Sequence, residues 1–384
     1  MAMTKNWSPE LEGLRGAASL WVFLGHIALL VNCKIPIIAV PKLGVDLFIL
    51  LSGYLMAKNY IERQEKEPWN RWQTIRTFWL RRYFRIAPLY YVMLIVALLV
   101  GHYLGDMRQI IAEAFPSTAT ATLRYSDHSF LNLLTHVFFV FGDLPKYAYN
   151  TALPDWSIAL EMQFYLLFPF IMLLTRRWGF ARTLLAMMLV ALLGRYLLPG
   201  LYTAFPMPSM ILIKLHVFIA GMLMAEAVRQ RRIMFLGLAL LAPVVSALMN
   251  IRMDAPQVIV EALLILGMTG VLWRWQRPSL LSRLFSIPRA WLSSRILTWL
   301  GDVSYSVYLL HLLLVIPIVA LLLQHFHLAT YTSGTRYLIT VGLCFPVVYL
   351  LSTGLHRYIE LRGIAFGKRV VQNSSVKKKV LAQP

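Results

Sequence analysis

Arg15 and His26 stand eleven residues apart in an apolar stretch, LEGLRGAASLWVFLGHIALL, residues 11–30. Wound as a helix, eleven residues turn through about 1100° and rise about 16 Å, so both side chains share one face with Ser19 and Val22 between them. An ionisable side chain inside a membrane span costs about 2.5–3.5 kcal/mol on insertion scales, which makes each one a functional candidate. An imidazole at mid-depth suits a general base or a nucleophile. Arg82 and Arg85, in FWLRRYFRIAPLYY (78–91), are three apart and project from one helix face. Two guanidinium forks so placed suit a phosphate or pyrophosphate, each binding bidentately; topological anchoring is the competing role.

Two carboxylates and three further bases fall inside apolar runs. Asp46, in GVDLFILLSGYLM (44–56), lies about 5 Å below the outer end of its helix, where it also suits compensation of the helix N-terminus. Glu161, in LPDWSIALEMQFYLLFPF (153–170), lies about 8 Å inside. A carboxylate there pairs with a cation or holds a proton, and His26 or Lys214 is a candidate partner. His311, in LGDVSYSVYLLHLLLV (300–315), lies about 12 Å in from the opposite face. Lys214 and His216 share one further run. Cys33 and Cys344 have no metal-type spacing and read as small buried apolar residues; no metal is expected.

The elements that must position these groups are membrane spans. Of the 384 residues 59% are hydrophobic and 14% charged, too apolar a balance for a water-soluble fold. Ten apolar runs have spanning length: 14–33, 43–60, 86–104, 156–174, 182–198, 208–228, 233–250, 257–275, 303–323 and 336–358. The run 130–141 is too short and reads as a re-entrant or interfacial helix. The expected fold is all-α and polytopic. With the N-terminus cytoplasmic, 28 basic residues fall on inner segments and seven on outer ones. That split places both termini inside. It also accounts for most of the +20 formal charge as topology signal rather than as a nucleic-acid surface. The N-terminus lacks the plan of a cleaved signal peptide, so the first run is a retained span. Residues 1–362 read as one membrane domain without internal repeat, and 363–384 as a basic, disordered cytoplasmic tail.

These segments resemble the bacterial acyltransferase family 3 of integral membrane O-acyltransferases. The Arg-x10-His pattern is met by Arg15 and His26, and the Arg-x-x-Arg element by Arg82 and Arg85. GVDLFILLSGYLM is similar to the family's second-span motif. Trp156, Ser157 and Glu161 match its Trp-Ser-x-x-x-Glu block, and SYSVYLLH its late Ser-Tyr-Ser-x-Tyr-x-x-His block, ending at His311. Met162 stands where many relatives carry a second acid, and Leu310 where a Trp is common. No extracellular SGNH-type esterase domain is expected after the tenth span.

The resemblance implies a bacterial inner-membrane enzyme that takes an acyl group, usually acetyl, from cytoplasmic acyl-CoA. The acceptor would be a hydroxyl of an envelope glycan, such as O-antigen, lipopolysaccharide or exopolysaccharide. Arg82 and Arg85, with Arg15, would hold the coenzyme phosphates. His26 would act as general base or as transient acyl carrier. Glu161, in preference to Asp46, would orient the imidazole. Trp156, Lys214 and His311 are weaker substrate-binding candidates, with Lys214 or a Tyr or Ser hydroxyl as the oxyanion partner. Competing classes are a secondary transporter or flippase, expected to show paired broken helices, an envelope-glycan polymerase or ligase, expected to face its basic residues outward, and a structural scaffold.

Overall fold

The computed structural model describes residues 8–249 and 255–380. Lys5 and Arg252, counted in the charge split, and residues 381–384 lie outside the described residues. Eighteen α-helices follow one another, with no strand among the described residues. They are α1 (Pro9–Leu30), α2 (Pro41–Arg63), α3 (Trp72–Leu99), α4 (Gly101–Ala114), α5 (Leu123–Ser126), α6 (Phe130–Val137), α7 (Trp156–Trp178), α8 (Phe180–Leu197) and α9 (Pro199–Ala204). After these come α10 (Ile211–Gln230), α11 (Ile233–Ala239), α12 (Leu241–Met249), α13 (Ala255–Leu272), α14 (Leu280–Leu292), α15 (Arg295–Asp302), α16 (Ser304–His325), α17 (Ser333–Leu355) and α18 (Leu361–Val380).

Eight helical stretches are long and apolar enough to cross a membrane. They begin at α1, α3, α7, α8, α10, α13, α16 and α17, and the chain is an all-α, multi-pass membrane protein. Two of the ten expected spans differ. Over 233–250 the chain forms two short helices, because Pro243 lacks the N–H that a continuous helix would bond to the carbonyl of Ala239. The span expected over 43–60 is α2, long at 23 residues but interrupted by Asp46 and Lys58, and it is not one of the eight. The run 130–141 holds only the eight-residue α6, whose Phe130, Leu131 and Leu134 are exposed.

The core of the bundle is α10, buried without a break from Ile213 to Ala227. It lies against α2 with unusual closeness, and glycines permit it. A Cβ on Gly53 would stand 2.1 Å from the carbonyl oxygen of Phe218, and one on Gly221 would stand 2.1 Å from that of Leu50. Neither helix can carry a side chain there, so the backbones meet as in close-packed membrane helix pairs. The outer helices keep apolar faces exposed, Leu189, Val190 and Leu197 on α8 and Leu338 and Leu350 on α17, as lipid contact requires. Cys33 and Cys344 are free and buried.

The connection between α4 and α7 is tied down by polar bonds as well as by buried apolar side chains such as Phe139, Phe141 and Leu153. Arg124, read from sequence as an outer-loop charge, is buried and donates Nε–H to the Thr151 carbonyl at 2.9 Å, with further bonds to Leu153 O and the Tyr149 hydroxyl. At the other end of the chain, α18 occupies residues expected to be a disordered tail over 363–384. Its first turns are held against α3. Cβ atoms on Gly363 and Gly367 would collide with Pro88 and Phe84, and Phe366 packs edge-on against Phe84.

Candidate active site

One face of α1 points at α16, as the helical spacing predicts. Ser19 Oγ donates to the Ser304 carbonyl at 3.4 Å. Farther along that face, His26 meets His311 with ring centroids 4.9 Å apart. The hydrogens follow from the neighbours. His311 Nδ1 faces only carbonyl oxygens, of Tyr308 at 2.8 Å and Val307 at 3.0 Å, so it carries the hydrogen and leaves Nε2 a lone pair. His26 Nδ1 then faces two acceptors, Val22 O at 2.9 Å and His311 Nε2 at 3.1 Å, and it too is the donor. The bare lone pair of the neutral pair is therefore His26 Nε2, the atom suited to take a proton or attack a carbonyl. His311 is wholly buried and His26 half-buried.

The expected carboxylate support for His26 is absent among the described residues. Glu161 accepts from Ser52 Oγ at 3.3 Å and from the Tyr165 hydroxyl. Asp46 is buried with its Oδ1 2.7 Å from Lys214 Nζ. The ammonium is thereby drawn into an ion pair between α2 and α10, which removes Lys214 as an oxyanion partner for His26. His311, expected only as a weak substrate contact, supplies the orienting bond instead.

The three arginines do come together. Arg15, Arg82 and Arg85 line one cavity of about 150 Å3, together with Glu161, Ser157 and Tyr308. Its wall along α2 runs from Met56 to Val45, eleven residues and so about 16 Å of helix. Pockets that bury whole drug-sized ligands are about 300–1,000 Å3, so this cavity suits a narrow arm rather than an entire coenzyme. The arginines are not equivalent. Arg15 pairs with Glu12 at 3.0 Å, and Arg85 with Glu360 at 2.5 Å. Arg82 forms no ion pair among the described residues. Its guanidinium lies 5.6 Å from the centroid of the Phe78 ring and 5.5 Å from that of Tyr165, and its buried Nε lacks a hydrogen-bond partner.

His26 does not line this cavity. Tyr308 stands at the boundary: it lines the cavity, exchanges a 2.6 Å hydrogen bond with Ser157, and lies 6.2 Å, centroid to centroid, from His311. Its hydroxyl also bonds the Pro154 carbonyl. Trp156 is buried beside this point and is not part of the cavity wall.

Sequence reasoning missed several buried acids, among them Glu360 and Asp155. Glu360 receives Arg85, His356 Nδ1 at 2.9 Å and Ser306 Oγ at 3.1 Å. Its signal is compositional, because it is the one acidic residue after Asp302 and sits among basic ones. Asp155, just before α7, accepts from Thr151 at 2.9 Å and Tyr90 at 3.2 Å, with His136 Nε2 at 3.7 Å. Burial pushes its carboxyl above the ordinary range, and His136 and the two hydroxyls pull the other way.

A family model described as an acyltransferase domain matches residues 8–353. The peptidoglycan O-acetyltransferase OatA of Listeria monocytogenes is 27% identical over 180 residues, 46% of this chain and 26% of its own length. Acyltransferase MdmB of Streptomyces mycarofaciens is 28% identical over 173 residues, 42% of this chain and 38% of its own. The putative membrane-bound transacylase BcsY of Komagataeibacter xylinus is 29% identical over 161 residues, 42% and 36%. This chain thus spans well under half the length of these relatives. No solved structure matches it. With the five motifs met in order and nine-tenths of its length matched, the chain belongs to acyltransferase family 3.

Proposed function

We propose that the protein moves an acyl group, acetyl in preference, from acyl-CoA at the basic face of a bacterial inner membrane to a hydroxyl of an envelope glycan. The observation that carries this reading is the pairing of an arginine-walled cavity with the His26–His311 couple one residue layer beyond it. The O-acetyltransferase names of the relatives, one of them acting on peptidoglycan, point to the same reaction class. O-antigen, lipopolysaccharide and exopolysaccharide hydroxyls are acceptors of the same chemistry.

In this reading Arg82, the arginine with spare donor capacity, takes the first phosphate contact, with Arg85 and Arg15 flanking it. The acyl-pantetheine arm runs along α2 toward Ser157 and Tyr308. Rotation of Tyr308 opens the last step to His26. Two routes use the same lone pair. As general base, His26 Nε2 takes the hydroxyl proton while the hydroxyl oxygen attacks the thioester, and the proton then goes to the leaving thiolate. As acyl carrier, Nε2 attacks the thioester carbonyl, the C–S bond breaks, and the thiolate leaves with the electron pair. The acceptor hydroxyl then attacks the acyl-imidazolium, the acyl–Nε2 bond breaks to return neutral His26, and the hydroxyl proton ends on the coenzyme thiolate. In both, His26 becomes cationic in passing, and its Nδ1–H bond to His311 Nε2 strengthens at that moment.

The test is direct. Purified protein in lipid vesicles is given radiolabelled acetyl-CoA, and surface glycans from cells with and without the chain are compared by mass spectrometry. Saturable binding, slow hydrolysis and a loss of one-acetyl mass differences in the deficient cells are expected. A protein that neither binds nor hydrolyses acetyl-CoA, while glycan mass stays unchanged, is a transporter or scaffold instead.

A further inference from the structure

A second polar cluster lies between α2, α10, α12 and α13, and none of its members lines the arginine cavity. Asp46 and Glu261 are fully buried, and His216, Ser246 and Lys214 are 2%, 3% and 5% exposed. Lys214 Nζ stands 2.7 Å from Asp46 Oδ1. His216 Nε2 is 2.7 Å from Ser246 Oγ, which is 2.7 Å from Glu261 Oε2. His216 Nδ1 and Glu261 Oε1 have no hydrogen-bond partner among the described residues.

Among the described residues the charges do not balance: the cluster holds two carboxylates and one ammonium. An uncompensated carboxylate in such a place costs several kcal/mol, about what a buried ion loses on leaving water. Two described cations on adjoining helices bond backbone carbonyls rather than the cluster. Arg195 of α8 donates to the Met249 carbonyl at 3.0 Å, and Arg289 of α14 donates to the Val271 and Trp273 carbonyls at the far end of α13. The helix α11 carries no charged residue. One proton on the cluster restores neutrality.

The hydrogen-bond chain gives that proton a route. With Glu261 ionised, His216 Nε2–H donates to Ser246 and Ser246 donates to Glu261. A proton added at His216 Nδ1 lets Nε2–H pass to Ser246 Oγ, while the hydroxyl proton passes to Glu261 Oε2. The chain ends with a Glu261 acid, an intact Ser246 hydroxyl and a neutral His216 carrying its hydrogen on Nδ1. His216 Nε2, Ser246 Oγ and Glu261 Oε2 stay paired in both states, with the bonds reversed. We propose that this cluster is a one-proton binding site, in which Glu261 takes up its proton through His216 and Ser246. The inference stands independently of the acyl-transfer reading.

Infrared difference spectroscopy on the full-length protein in lipid vesicles tests it. At neutral pH the wild-type protein should show the carbonyl stretch of a protonated carboxylic acid, displaced on exchange into D2O. Glu261→Gln, the neutral isostere, should remove that band entirely. Ser246→Ala should keep the band and shift it, because the acid loses its hydrogen-bond partner. A spectrum without a protonated-acid band, or a band that survives Glu261→Gln, overturns the proposal. If Glu261→Gln does not fold, an unshifted band in Ser246→Ala overturns it equally.

Discussion

Replacing His311 by Asn tests whether the second imidazole does more than fill space. In the resting state His26 Nδ1–H has two acceptors, Val22 O at 2.9 Å and His311 Nε2 at 3.1 Å. Removing one leaves the other, so the tautomer and ring orientation survive and donor binding at the arginines is untouched. The loss appears when His26 turns cationic. A neutral hydrogen bond contributes about 0.5–1.5 kcal/mol net and one to a charged group about 1.5–3 kcal/mol. Only the difference, about 1–2 kcal/mol, acts on the barrier, because the resting share is lost equally from ground and transition states. That is about five- to thirty-fold in turnover. The assay is label transfer from acetyl-CoA to acceptor in vesicles, with donor affinity measured separately. A fall in kcat with unchanged donor affinity is expected. A variant within twofold of wild type in kcat, or one whose whole defect lies in donor affinity, refutes the positioning role.

Four further outcomes are expected. His26→Ala abolishes transfer and leaves acetyl-CoA binding within a few fold of wild type; normal acylation by the variant sinks the catalytic assignment. Arg82→Ala weakens the donor by about 10- to 150-fold, the worth of one charge-assisted bond, read by equilibrium binding; a defect confined to membrane insertion marks Arg82 as an anchor. Glu360→Ala leaves Arg85 without its carboxylate and lowers stability by about 3–5 kcal/mol, seen as a drop in melting temperature of the purified protein. Gly53→Val forces α2 from α10, because its Cβ falls 2.1 Å from backbone rather than from a yielding side-chain tip. Its cost is at least the about 1–3 kcal/mol of ordinary overpacking, read by the same melt.

What the sequence made legible is what one helix decides alone. The facing of Arg15 and His26 follows from eleven residues of helical advance, and Arg82 and Arg85 line one cavity because three residues keep them on one face. The apolar runs located the helices, and the one that broke did so at Leu240, three residues before Pro243, which is in plain view in the sequence. Partnerships were less legible, since they depend on which helices become neighbours. His26 and His311 are separated by 285 positions, and the bond between them is set by α1 packing on α16. The acids were misassigned for the same reason. Asp46 and Glu161 each lie at a plausible depth for supporting His26, but α10 offers Asp46 a lysine, and α2 and α7 offer Glu161 a serine and a tyrosine.

The glycine seam between α2 and α10 explains why so many polar groups survive at membrane depth. Lipid offers no hydrogen bonds, so a buried base or acid persists only where protein covers it on every side. The helix α10 is covered in that way, and α2 reaches it closely because Gly53 and Gly221 present bare backbone. One side of α2 then carries Ser52 toward Glu161 and the arginine cavity, while Asp46 meets Lys214 and the Glu261 cluster. A single tight helix pair therefore serves as the shared wall of two separate polar chambers. Widening the seam should disturb both at once: Gly53→Val is expected to lower donor binding and the Glu261 carbonyl signal together, whereas Arg82→Ala should lower the first and leave the second intact. If Gly53→Val impairs only one of them, the two chambers do not lean on a common wall.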